Sequence, residues 1–90
     1  MEFEWDIAKA KSNLAKHGVS LSLAKLVFED PYVFTQIDER ADYGEEREIA
    51  IGLALNQLIA VVFTMRHGRC RIISARKATR NEQQDYYSQT

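Results

Sequence analysis

Apolar and polar positions alternate most clearly in the second half of the chain. Ile49, Ile51 and Leu53 interleave with Glu48, Ala50 and Gly52, which predicts a strand over Arg47–Leu53 with one apolar face. A turn is predicted at Asn56-Gln57, and Leu58–Arg66 reads as the next strand. Its odd positions, Ile59, Val61, Phe63 and Met65, are all apolar, and its even positions start apolar and end with Thr64 and Arg66. Apolar character on both faces predicts a central strand. His67-Gly68 then separates two β-branched runs, a signal for a two-residue hairpin whose second strand continues to Lys77. Upstream, Tyr32–Ile37 alternates well enough to be a strand, and the acidic stretch Asp38–Glu46 is expected to be a loop, mobile or held by a partner.

Helical spacing appears at both ends. Ile7, Ala10, Leu14 and Ala15 recur at helical intervals behind Asp6, a good N-cap, and Gly18 suits the position just past the helix end. Phe3-Glu4-Trp5 reads as a short edge strand. Ser20 or Ser22 can cap a second helix carrying Leu23, Leu26, Val27 and Phe28, which Asp30-Pro31 stops. Thr79 and Glu82 have capping-box spacing, so a last helix is predicted from Arg80 to about Tyr87. The predicted fold is α+β: a four-stranded antiparallel meander with two N-terminal helices and one C-terminal helix. The helices are expected on the face bearing Ile49, Ile51, Val61 and Phe63. Plain alternation puts Ser74 and Arg76 on the side of Val61 and Phe63, away from Arg66 and Arg71, unless a β-bulge re-aims them.

Ninety residues with 46% apolar content suit one globular domain, 1–90. The longest apolar run, Leu58–Phe63, is too short to span a bilayer. Without a secretory pattern at the start, and with Cys70 as the lone cysteine, the chain is expected in the cytoplasm. No ligand pair has zinc spacing and no glycine-rich phosphate loop occurs, so neither metal nor cofactor is expected.

Net charge is −1 with a pI of about 6.1, unlike a typical nucleic-acid binder. The distribution is more telling. Residues 1–48 hold eleven of the thirteen acids, and none occurs from Ile49 to Asn81. Four arginines and a lysine crowd into Thr64–Lys77, with Arg80 just beyond. Around a His67-Gly68 turn, Thr64, Arg66, Arg69 and Arg71 share one side. Cations without local acids are suited to phosphate. A solvated, charged hairpin tip is the simpler alternative. His17, in the last turn of the first helix, suits the helix dipole as readily as a catalytic role.

Several motifs occur in a telling order: Phe3-Glu4-Trp5-Asp6, Lys16-His17-Gly18-Val19, Phe28 with Asp30-Pro31, Glu45-Glu46-Arg47, Ile51-Gly52 and Arg71–Thr79. Together they resemble the BrnT toxins of bacterial type II toxin–antitoxin pairs, from residue 3 to about 87. The resemblance implies a RelE-like fold, ribonuclease activity on RNA and growth arrest. It also implies a BrnA-like antitoxin with a ribbon-helix-helix part, through which alone the toxin would reach operator DNA. Metal-free RNA cleavage needs a base for the 2′-hydroxyl, an acid for the leaving oxygen and cations for the phosphorane. On this reading Arg66 and Arg76 stabilise the phosphorane, Arg71 holds the backbone, and Ser74 and His17 complete the catalytic candidates. Thr64, Arg69, Lys77, Arg80 and Tyr86 are the candidate RNA contacts. For the base, His17, Glu46, Tyr86 and Tyr87 stay open. The alternative is a catalytically weak or inactive corepressor module, whose arginines would meet antitoxin carboxylates.

Overall fold

The computed structural model describes residues 1–40 and 44–89. Three of the nine positions of the predicted acidic loop, 41–43, lie outside the described residues. The elements in order are β1 (Phe3–Glu4), α1 (Ile7–His17), α2 (Leu21–Ala24), β2 (Phe34–Ile37), β3 (Glu48–Ala54), β4 (Gln57–Arg66), β5 (Arg69–Lys77) and α3 (Arg80–Tyr87). The caps act as their residue types dictate. Asp6 accepts from the Lys9 N–H at 3.0 Å, Ser20 from the Leu23 N–H at 3.0 Å, and Thr79 and Glu82 close a full capping box. Gly18 ends α1 in the left-handed conformation, φ 70°.

The class is α+β, but the sheet has five strands and is mixed, in the order β1-β5-β4-β3-β2. The antiparallel meander β2–β5 is present, with β4 central. The fifth strand is β1, the short edge strand expected at Phe3-Glu4-Trp5, which lies outside the four-stranded meander and pairs in parallel with β5 through Phe3↔Cys70 and Glu4↔Arg71. The Cys70 N–H donates to the Glu2 carbonyl at 2.8 Å, so this short strand satisfies backbone that β5 would otherwise leave open. The second N-terminal helix is a single α turn that tightens into a 3-10 helix, Lys25–Glu29, before Pro31.

Register corrects the face assignment. The β3–β4 turn is Leu55-Asn56, both at positive φ, and not Asn56-Gln57. It pairs Ala50 with Val61 and Ile49 with Val62. Ile49 and Ile51 therefore lie opposite the Val61 and Phe63 face. The sheet buries both sides. Val19, Leu21, Ala24 and Val27 from the N-terminal helical segment cover Ala50, Ile59, Val61, Phe63, Ile72 and Ala75. On the other side Tyr86 and Ala78 close over Ile49, Ile51, Ala60 and Val62. Phe3, Phe28 and Phe63 stack edge to tilted, with centroids 5.3 and 5.1 Å apart.

Where the short outer strands stop, side chains stand in for them. Asn13, 6% exposed, donates to the Ala75 carbonyl at 2.9 Å and accepts from the Ala75 N–H at 3.1 Å, pairing with β5 as a strand would. It also donates to the Val19 carbonyl at 2.8 Å. On the opposite edge Asp30 accepts from the Leu53 N–H at 2.7 Å, the Tyr32 N–H at 2.9 Å and the Tyr86 hydroxyl at 2.6 Å. Burial would raise the Asp30 carboxyl, but these donors, Tyr86 foremost, outweigh it and hold it below its usual range. Gly52 packs tightly beside it: a Cβ there would sit 3.1 Å from Val27 and 3.2 Å from the Asp30 carboxylate, so either neighbour would have to shift.

Asn13→Ala should destabilise by about 2–4 kcal/mol in urea unfolding, since it strands buried backbone groups on Ala75 and Val19. Phe63→Ala should cost about 3–5 kcal/mol by the same measurement. Burial, then the Glu48 charge, pushes the Cys70 thiol up to about 11. Iodoacetamide at pH 8 should therefore label it only after unfolding.

Candidate functional site

The β4–β5 hairpin turns as its sequence requires. His67 at φ 53° and Gly68 at φ 77° form the two-residue turn, and Arg66 lies opposite Arg69 and Thr64 opposite Arg71. Between Phe63↔Ile72 and Val62↔Ser74 the register shifts, leaving Ile73 as the extra residue of a bulge in β5. Its consequence is a change of face. Ser74 and Arg76 move to the face of Val62, so Thr64, Arg66, Arg69, Arg71, Ser74 and Arg76 all share one side of the sheet.

The four hairpin arginines nevertheless do have carboxylate partners, for Arg66, Arg69 and Arg71 from distant segments. Arg66 donates to Glu45 at 2.9 Å, and the other oxygen of Glu45 is 3.4 Å from Arg47. Arg71 donates to Glu4 at 2.9 Å, and Arg69 stands 3.8 Å from both Glu2 and Glu4. Arg76 holds Glu82 with both terminal nitrogens, at 2.8 and 3.0 Å. The Arg66 hydrogen bond keeps the Glu45 carboxyl below its usual range. Burial would raise Glu82, but its bonds to Arg76 and Thr79 together leave it lowered, and Arg76 is raised in turn. Thr64 donates its hydroxyl to the Glu46 carbonyl at 2.8 Å.

Two of the clefts beside these strands gather candidate residues. The larger, about 540 Å³, is lined by Glu45, Glu46, Glu48, Thr64, Met65, Arg66 and His67. It brings together a guanidinium, an imidazole and carboxylates at the hairpin end. The smaller, about 190 Å³, lies between α1 and β5 and joins His17 to Ser74, with Lys9, Ser12, Asn13, Lys16 and Ile73. The other expected contacts lie elsewhere. Lys77 pairs with Ile59, on the opposite face from Arg66, and Arg80 opens α3. Tyr86 is 3% exposed with its hydroxyl on Asp30, in the core and not on a surface for RNA. Sequence reading missed Glu45, Glu48 and His67 as members of a site. His67 beside Arg66 at a turn was the available signal, whereas the glutamates come from a loop that only folding brings near.

Among the described residues no group of three or more His, Cys, Asp or Glu side chains is placed to hold a metal. No helix among them is long and apolar enough to cross a membrane.

Residues 5–82 match the family model described as ribonuclease toxin, BrnT, of type II toxin-antitoxin system. That match, over most of the chain, defines its class as a ribonuclease toxin of a type II pair, which implies a protein antitoxin as partner. The chain belongs to the BrnT family. Among curated proteins, none matches it.

The Arg76–Glu82 pair has a pH signature. A lowered carboxylate contributes stability that is present above its ordinary value of 4.5 and lost as pH falls through its folded value. Thermal unfolding of the wild type should therefore lose stability below about pH 4.5, and Glu82→Gln should remove that part of the slope.

Proposed function

We propose that the chain is a metal-independent endoribonuclease acting in the cytoplasm, with its reaction centre in the cleft at the hairpin end. The observation that carries this is the gathering of Arg66, His67, Glu46 and Glu48 around one open cleft. In the proposed reaction the ribose 2′-oxygen attacks the adjacent phosphorus and its proton passes to a carboxylate, Glu46. The P–O5′ bond breaks as His67 delivers a proton to the leaving oxygen. Arg66 faces the negative charge of the phosphorane, where a planar guanidinium offers two donors. Glu45 pre-orients Arg66 and gives way to phosphate. Arg71 and Arg69 hold the RNA backbone further along the same face. Arg76 acts as a tie between β5 and α3.

The partner proposed is a BrnA-like ribbon-helix-helix antitoxin, whose acidic or amphipathic segment covers the hairpin and through which the complex reaches operator DNA. A second reading, a catalytically weak corepressor, draws on one observation: Arg66, Arg71 and Arg76 are already held by the chain's own glutamates.

Losing one such donor typically costs about 10²–10³ in rate, so Arg66→Ala should lower cleavage by that factor while the protein stays folded. Arg66→Lys should recover part of it. EDTA should leave cleavage unchanged, and the 5′ fragments should end in 2′,3′-cyclic phosphate. Wild-type rates in both Arg66→Ala and His67→Gln would place the chemistry elsewhere. A purified wild-type chain that binds antitoxin but neither cleaves RNA nor arrests growth would establish the corepressor.

A further inference from the structure

We infer that the seam between α1 and β5 is a binding site for the phosphates of single-stranded RNA, outside the cleft at the hairpin end. The inference rests on the ribonuclease reading for the identity of its ligand. Its ground is the partnering of the cations. Each hairpin arginine is paired with a carboxylate, whereas Lys9, Lys16 and His17 in the seam have no side-chain ion pair or hydrogen bond among the described residues. Cations left unpaired in a concave surface are the ones that attract an anion with nothing to displace.

The seam is built rather than incidental. Lys9, Ser12, Asn13 and Lys16 form one stripe of α1 by their i, i+3, i+4 and i+7 spacing. Asn13 spends its amide on Ala75 and Val19, which fixes that stripe along the β5 edge. The bulge at Ile73 then brings Ser74 to the opposite wall, with no hydrogen bond on its hydroxyl among the described residues. α1 carries no acid along its length; Asp6 at its N-cap meets the charge of Lys9 at one end of the stripe, which leaves Lys16 with no acid on α1.

The position fits a polymer. Ser74 lies across from Val62, and Arg66 is four strand residues further along the same face. At about 3.3 Å per residue that separation is roughly 13 Å. A short extended stretch of RNA with its reacting phosphate at Arg66 would carry a neighbouring phosphate to the lysines. His17 and Ser74, met in sequence as catalytic candidates, thus become RNA-positioning residues.

The test measures binding of a fluorescent 2′-O-methyl RNA oligonucleotide, which lacks the nucleophile and stays intact, as a function of salt. Wild type, Lys9→Ala/Lys16→Ala and Arg66→Ala are compared, with circular dichroism to confirm folding. Each phosphate contact on a single strand contributes about 0.7 to the slope of log K against log salt, so the double variant should lose about 1.4 in slope. Lys9→Arg/Lys16→Arg should restore it. Unchanged slope in the double variant would overturn the seam. So would an unchanged slope accompanied by weaker antitoxin binding, which would assign the lysines to the protein partner. Because binding is read without cleavage, a seam-dependent slope in a wild-type chain that cleaves no RNA would retain the seam while removing the ribonuclease centre. Cleavage that falls in Arg66→Ala with no seam dependence would do the reverse.

Discussion

Every buried backbone group in a small sheet needs a partner, and this chain meets that demand at its edges with side chains. β1 is two residues long, yet it runs beside a nine-residue strand. Asn13 takes over where it ends, with one amide serving both the N–H and the carbonyl of Ala75. An asparagine can do this because it carries a donor and an acceptor side by side, as a peptide does. The same contact docks α1 onto β5 and fixes the loop at Val19, so the N-terminal segment and the sheet cannot settle independently. Asp30 does the parallel work at the far edge, joining the 3-10 segment, β3 and α3 through one carboxylate. Tyr86 is a consequence. Its ring completes the core under α3, and its hydroxyl, pushed up to about 12 by burial and then by Asp30, stays protonated as a donor.

The bulge at Ile73 is the second constraint, and it separates structure from site. A regular ladder would send Ser74 and Arg76 into the face occupied by Val19, Leu21 and Val27, where a guanidinium has no partner. With one extra residue, Arg76 instead reaches Glu82 and Ser74 reaches the α1 seam. A single irregularity therefore spares the core an unpaired charge, which would be expensive there, and places polar groups along one surface.

Charge follows a similar logic. Self-neutralisation of the hairpin by Glu2, Glu4, Glu45 and Glu82 lets four arginines lie close together on a chain of net charge −1. Such pairs at partly exposed positions are individually weak and exchangeable. In the proposed function they suit a surface that gives up its own carboxylates for phosphate or for an antitoxin, and they leave Lys16 of α1 without an acid partner beside it.

The elements and their caps were legible in the residues because they depend on near neighbours: Asp6 with Lys9, Thr79 with Glu82, the positive φ of His67 and Gly68. The central position of β4 was legible too, from apolar residues on both its faces. The ordered motifs were enough to place the chain among the BrnT toxins. Register, pairing of charges and the edges were decided only by the tertiary structure. The face of Ile49 relative to Val61 follows from antiparallel pairing of odd with even residues across Leu55-Asn56, which local alternation does not reveal. Tyr86 looked like a surface aromatic until Asp30, 56 residues away, drew it inward. The acid-free run suggested bare arginines, but their partners lie 21 and 67 residues distant for Arg66 and Arg71, beyond any local pattern. Charge pairing acts through space, and the sequence orders residues only along the chain.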